Sequence, residues 1–537
     1  MSIATDRGSD ETRPAPARMP RALPFLVLAA LLALWCWSVW RSPVYSPDSW
    51  AYYELSQSIR DGGYRLLGLR SYVYPAAAPS GAFPPLWPGL WSLVAALSGL
   101  GARAGLVASF GCAAAAAGLS EAIGRRVSGV KWIGLAAAAA LFAMPDFAEE
   151  VQAARSIPLQ IALAAALIWI WVRPGPLTFL RASAMGALCG ALVMTRFDMM
   201  AFAAFFGLTI LLGSRSLGAA ARFGVTFLAA VSPWVTVSWL RFRELFHSDS
   251  SFVASAADAQ TFVTDWYPPG HAPATVASAP AAWAAKVAGN VPPFLEAVAS
   301  SPGFVGLSAL TVALAALVLG RSPAVTPARP DAAGARRLAA VAPAVAAPLP
   351  VYLVTGYFDA RYFSLAFWYL LLATAVSAAI AWKARVGRER VEARTMLLAI
   401  ALLLIGGYAD AARGLARPPE PLFPDLREFA RMEACLRHMG ARPSDRLLFN
   451  DNTLAARWAA VRHLPSATLP RNFTQPGLSL DDKRRFLDQY DIRFLAGDPE
   501  VLEPIFKPLL ESPTAPCGMA LYRLSPANPG APPPSRL

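Results

Sequence analysis

The sequence predicts a polytopic α-helical membrane protein, with about eleven spanning helices plus an interfacial helix and a small C-terminal α/β soluble domain. Three observations lead there. Of 537 residues, 55% are hydrophobic and only 15% charged, against roughly 25% charged in an average soluble domain. Apolar runs such as Ala22 to Trp40 and Gly303 to Gly320 approach the roughly 20 residues that cross a hydrocarbon core of about 30 Å, and they carry no polar face. After Tyr408 the pattern changes to a Pro-rich segment at 416–421, followed by strand-like and helix-like pieces in alternation.

Spans are expected near 22–40, 104–123, 131–145, 158–172, 182–196, 198–213, 220–240, 303–320, 337–354, 360–382 and 396–410. The first follows Arg7, Arg13, Arg18 and Arg21, is long, and lacks a small-residue cleavage site, so it reads as a retained helix rather than a signal peptide. Lys and Arg recur in alternate loops: Arg125, Arg126 and Lys131, then Arg173 and Arg181, then Arg215 and Arg222. Arg321, Arg329, Arg336 and Arg337 follow, and then Lys383, Arg385, Arg388, Arg390 and Arg394. All these loops are cytoplasmic if the N-terminus is. The net charge of +13 is thus dispersed over short loops, which fits membrane orientation and not nucleic-acid binding.

Counting Phe83 to Gly101 as a span would invert every later loop, so this stretch, with three prolines and two tryptophans towards one end, is expected to be a short helix at the outer interface. The resulting organisation is a cytoplasmic tail at 1–21, a transmembrane module at 22–410 with outer loops 41–100 and 241–302, and an extracytoplasmic α/β domain at 411–524. A Pro-rich disordered tail at 525–537 completes it. Within the α/β domain, Leu447-Leu448-Phe449 and Ile492 to Leu495 read as buried strands, and Thr453 to Val461 and Leu480 to Gln489 as helices.

Chemistry is expected where charge meets the outer membrane boundary. In Ser46-Pro47-Asp48-Ser49-Trp50-Ala51-Tyr52-Tyr53, Ser46 is an N-cap and Pro47 the first helical residue, which puts Asp48 and Tyr52 one turn apart on one face. Asp48 either stabilises the helix N-terminus by its charge or serves as a general base for a lipid-borne substrate. Asp146, Glu149 and Glu150 form a second acidic cluster on the same side, readable as a solvated helix end or as a carboxylate group that orients an acceptor or holds a cation. Arg155, Arg196, Arg241 and Arg361, the last beside Tyr362, lie at outer helix ends. Singly each would be a snorkelling or ion-paired residue; several converging would bind a phosphate. No Walker-type loop, His-Glu-x-x-His or Cys-x-x-Cys occurs, and four histidines are scattered. A transporter or lipid flippase is the alternative reading, and a non-catalytic scaffold a third.

As an ordered set, these landmarks resemble the GT-C superfamily of integral membrane glycosyltransferases, in the branch of the protein mannosyltransferases and aminoarabinose transferases. Asp48-Ser49-Trp50-Ala51-Tyr52 with Gly62-Gly63-Tyr64 is similar to that family's first outer-loop motif, and Phe83-Pro84-Pro85-Leu86-Trp87-Pro88 to its following Pro-Pro-Leu element. Gly186 to Phe197, Ser232-Pro233-Trp234 and Ala360-Arg361-Tyr362 match later landmarks in order. The resemblance implies Asp48 as catalytic carboxylate, a polyprenyl-phosphate-linked sugar as donor, a glycan, lipid or protein as acceptor, membrane lipid as surroundings, and inversion at the anomeric carbon. Where the family often has a further acid, this chain has Arg155-Ser156-Ile157-Pro158, which leaves Glu149 or Glu150 to substitute and leaves a divalent cation as an open question. The high Ala, Arg and Pro content points to a bacterial inner (plasma) membrane.

Cys36, Cys112 and Cys189 fall in expected spans, whereas Cys435 and Cys517 share the C-terminal domain. Placed in an oxidising compartment, these two are expected to pair, closing a loop worth roughly 4 kcal/mol by the chain-entropy estimate.

Overall fold

In a computed structural model of the chain, the described residues are 33–41, 43–69, 72, 83–245, 248–258, 261, 264–268, 273–300, 330–416, 426–474, 478–511 and 519–525. Among them, four helices are long and apolar enough to cross a membrane: Gly101–Ser128, Leu217–Phe242, Ala333–Thr355 and Arg361–Lys383. Shorter apolar helices are Leu86–Ser98, Ile133–Phe142, Phe179–Val193 and Met199–Ser214. A further apolar helix, Ile157–Trp171, is preceded by Pro145–Gln152 at an angle of 106°, so the chain bends sharply between the two. All but Leu86–Ser98 and Pro145–Gln152 coincide with an expected span. Residues 22–32 of the first expected span, the whole of 303–320, and the tails at 1–21 and beyond Ser525 lie outside the described residues, as does Cys517, one member of the expected disulfide.

Helices in this bundle approach closely because glycines face backbone, the usual device where lipid removes the hydrophobic drive for association. A Cβ at Gly134 would overlap the Ser120 carbonyl, and one at Gly124 would sit 2.7 Å from the Gly134 nitrogen, so Ala104–Ser128 and Ile133–Phe142 meet backbone to backbone. Gly186 makes the same close approach to the Phe223 carbonyl, joining Phe179–Val193 to Leu217–Phe242.

The segment expected at the interface is the helix Leu86–Ser98, ended by Gly99 in the left-handed conformation. Its 13 residues rise about 20 Å. Leu93 and Leu97 are exposed, but Trp87 and Trp91 are fully buried. The tryptophans that read as interface anchors are therefore core anchors: Trp91 packs over Gly105, where a Cβ would meet the indole.

The C-terminal part forms a sheet of order β1-β3-β2-β4-β5. β2 (Arg446–Phe449), β3 (Ser466–Thr468) and β4 (Ile492–Gly497) are parallel, and β5 (Ala520–Arg523) is antiparallel to β4. The helices Asn452–Arg462 and Leu480–Gln489 and the strands at 447–449 and 492–495 agree with the sequence reading to within a residue or two. β1 (Gly68–Leu69), however, comes from the first loop and pairs in parallel with Ser466 and Ala467. The second loop docks as well: Trp266 is buried, its backbone exchanges hydrogen bonds with the Asn472 side chain at 3.2 and 2.7 Å, and its indole donates to Gln489 Oε1 at 3.2 Å. The expected α/β domain at 411–524 thus takes one strand from the first large loop and an anchor, Trp266, from the second.

Gly134→Ala should destabilise the detergent-solubilised protein by about 1–3 kcal/mol, the usual cost of overpacking, seen as a lower unfolding temperature. Gly118→Ala is the control, because a Cβ there meets nothing within 4 Å, and it should leave stability unchanged or slightly raised.

Candidate active site

The helix Pro47–Arg60 is set by its cap. Ser46 is extended (φ −80°, ψ 169°) with proline next to it. Its Oγ accepts from the Ser49 nitrogen at 3.3 Å, while Ser49 Oγ accepts from the Ser46 nitrogen at 3.1 Å. This reciprocal box satisfies two of the donors that a helix start leaves over, and puts Asp48 in the first turn. Midway along the helix, buried Glu54 accepts the backbone N–H groups of Leu67 and Gly68 and so holds the start of β1. Between them, Trp50 lies under the Arg457 guanidinium, 5.4 Å from the ring centroid. One helix is therefore fixed to both halves of the fold.

The second acidic element ends in a bend. Beyond Pro145–Gln152 the backbone turns through Ala154 with φ +53°, a left-handed conformation that is uncommon for a residue with a side chain. The carbonyls of the turn are held from the first loop: Ala153 O accepts from Ser49 Oγ, and Ala154 O from Trp87 Nε1 at 3.0 Å. The bend delivers Arg155 inward, where its Nε donates to Ser46 Oγ at 2.9 Å and its two other nitrogens meet Glu150 and, at 3.2 Å, Glu149. Burial pushes the Glu150 carboxyl up, and the Arg155 charge and hydrogen bond pull it back. Burial also raises the Tyr52 phenol to about 12, with the Asp48 charge adding to it.

Two further arginines complete the charge pattern. Arg361 Nη1 lies 3.3 Å from Asp48 Oδ2, and its Nε 3.2 Å from Asp359. Arg196 pairs with Asp198 at 3.2 Å, and Asp198 also accepts from the Tyr352 hydroxyl. The ring of Tyr362 lies close to both guanidiniums, its centroid 4.9 Å from that of Arg196 and 5.1 Å from that of Arg361, distances at which a cation gains from an aromatic face.

These groups surround a cavity of about 750 Å³. Of the residues expected from sequence, Asp48, Tyr52, Glu150, Arg155, Arg196, Arg361 and Tyr362 all line it. Glu149 stands behind Arg155 and is largely exposed. Asp146 does not line the cavity; burial raises its carboxyl, and the charges of Asp359 and Glu149 add to this, which places it near that group. Arg241 is exposed in the last turn of Leu217–Phe242 and is not part of the lining. The sequence reading missed Tyr352, Ser248, Thr264 and Asn452 as cavity residues. Tyr352 sits near the end of an apolar run, which is a weak signal; the others reach the cavity only through long-range docking and carry none.

For a divalent cation the donor set is a poor fit. Asp48, Glu149, Glu150, Asp198 and Asp359 each face an arginine within ion-pair distance, and among the described residues no group of three or more His, Cys, Asp or Glu converges.

No known family's sequence profile matches the chain, and no curated protein matches it. Solved structures do. ArnT from Cupriavidus metallidurans bound to undecaprenyl phosphate aligns over 93% of this chain and 98% of its own, with a TM-score of 0.57 at 14% identity. The archaeal oligosaccharyltransferase AglB from Archaeoglobus fulgidus, in complex with an inhibitory peptide and a dolichol-phosphate, aligns over 90% of this chain and 71% of its own, with a TM-score of 0.50 at 13% identity. At such identities the likeness is one of fold: the chain shares its fold with ArnT and AglB.

Proposed function

We propose that this protein is a glycosyltransferase that moves a sugar from a polyprenyl-phosphate carrier to an acceptor hydroxyl with inversion, on the extracytoplasmic side of a bacterial inner membrane. The observation that carries the reading is the facing of one helix-borne carboxylate, Asp48, and three inward arginines, Arg155, Arg196 and Arg361, across a single cavity. A base and a phosphate site in one enclosure are what such a transfer needs, and two proteins of the same fold were solved with a polyprenyl or dolichyl phosphate.

The chemistry then follows from charge. A phosphodiester-linked sugar already carries a competent leaving group, so positioning and neutralisation of the departing phosphate supply much of the catalysis. Arg196 and Arg361, both held against Tyr362, are placed to bind it. When the donor phosphate draws Arg361 away from Asp48, the carboxylate is released to accept the acceptor's proton. The acceptor oxygen forms the new bond to the anomeric carbon as the bond from that carbon to the phosphate oxygen breaks. The electron pair leaves with polyprenyl phosphate, and configuration inverts. Arg155, fixed by Glu149 and Glu150, keeps Ser46 and hence the first turn of the base-bearing helix in place.

Three outcomes are expected. Asp48→Asn keeps the side chain's size but removes the base, so transfer should fall by about 10²-fold or more, while protein level and binding of undecaprenyl phosphate persist. Near-normal transfer would return Asp48 to a helix-stabilising role. Arg361→Gln should weaken binding of undecaprenyl phosphate by roughly 10-fold or more, since a charge-assisted hydrogen bond contributes about 1.5–3 kcal/mol, measurable by quenching of tryptophan fluorescence. Reporter fusions after Arg60 and Asp451 should report the extracytoplasmic side and fusions after Arg126 and Arg388 the cytoplasm; a cytoplasmic signal at Asp451 would invert the assigned orientation.

A further inference from the structure

The cavity lining is uneven in charge. Every charged residue in it comes from the membrane bundle, its short connections or the first loop. The second loop and the C-terminal unit contribute Ser248, Ser251, Ala254, Thr264 and Asn452, none of them charged.

Asn452 has a particular place in the fold. It opens the helix that follows β2, and the chain leaves β2 for β3 on one side, while β4 pairs on the other. The carboxyl end of β2 is therefore where connections part in a parallel sheet, the position at which open α/β sheets bind ligands. Here that position opens onto the cavity that holds Asp48. The Asn452 amide is also oriented: its Oδ1 accepts from Thr468 Oγ1 at 3.1 Å, a group at the end of the neighbouring strand β3. An amide held in this way, in a cavity whose lining also includes Ser248, Ser251 and Thr264, is suited to a neutral partner with several hydroxyls of its own. Such a site also rejects analogues that lack those hydroxyls, because its polar groups would be left unpaired.

Building on the glycosyl-transfer reading, we infer that the acceptor is a saccharide, recognised through its neutral hydroxyls by Asn452 together with Ser248, Ser251 and Thr264. An acidic or basic peptide would find no countercharge in this part of the lining, and a lipid acyl chain would find polar groups.

The test compares native-host cells in which the gene is deleted, restored, or restored as Asn452→Ala or Asn452→Asp, with the envelope separated into polysaccharide, lipid and protein fractions for mass spectrometry. Restoration of the wild type should add a sugar increment to the polysaccharide fraction. Asn452→Ala, at equal membrane level and with equal affinity for undecaprenyl phosphate, should restore about a tenth of it or less. Asn452→Asp keeps the shape and the Thr468 hydrogen bond but places a charge in the neutral region, so the same loss is expected independently of folding. An increment in the lipid or protein fraction instead would overturn the saccharide acceptor and leave glycosyl transfer standing. No increment in any fraction would remove the transfer reading itself, and full restoration by both variants would remove Asn452 from acceptor recognition.

Discussion

Charge held inside a low-dielectric enclosure constrains everything else in this fold. An unpartnered carboxylate or guanidinium there would cost several kcal/mol, so every acid facing the cavity has an arginine and each arginine an acid. Arg196 and Asp198 are neighbours in sequence, but Asp48 finds its partner at Arg361, more than half the chain away. The ion pairs therefore act as ties between segments as well as neutralisers. In the proposed transfer, an entering phosphate would not meet idle cations; it would exchange one partner for another and release the displaced carboxylate.

The same economy governs the helix Pro47–Arg60. Its first turn is fixed from the bundle through Arg155 and Ser46, and its middle from the sheet through Glu54 and β1. Asp48 is thus positioned by contacts at the start and the middle of its helix, of which only the cap is local in sequence. The left-handed Ala154 belongs to this arrangement. Its turn is tied down by Ser49 and Trp87, two side chains of the loop that also carries Asp48.

Much of this was legible beforehand, for identifiable reasons. Spans and caps are local: length and apolarity announce a helix such as Leu217–Phe242, and Ser46-Pro47 announces a helix start. Arg155, Arg196 and Arg361 were visible because charge at an apolar boundary is rare enough to stand out. Arg241 met the same criterion and yet stays outside the cavity, because sequence gives the end of a helix but not the direction in which its face points. Trp87 and Trp91 misled in the opposite sense, since an aromatic residue near a boundary serves equally as an interface anchor or as packing, and only the presence of Gly105 opposite decides. Asn452, Thr264 and β1 had no signal at all, because each acquires its place through contacts that close across hundreds of residues.

The pairing of Gly68 with Ser466 has a consequence for the order in which the molecule is made. The two strands lie roughly 400 residues apart, and such non-local contacts form late. During synthesis the first loop has no sheet to join until the last fifth of the chain has emerged and folded. Until then the strand that Glu54 holds, midway along Pro47–Arg60, has no partner, so a nascent or truncated chain lacks the tie between that helix and the sheet. Folding of the C-terminal sheet is thus the step that joins the first loop to the rest of the molecule.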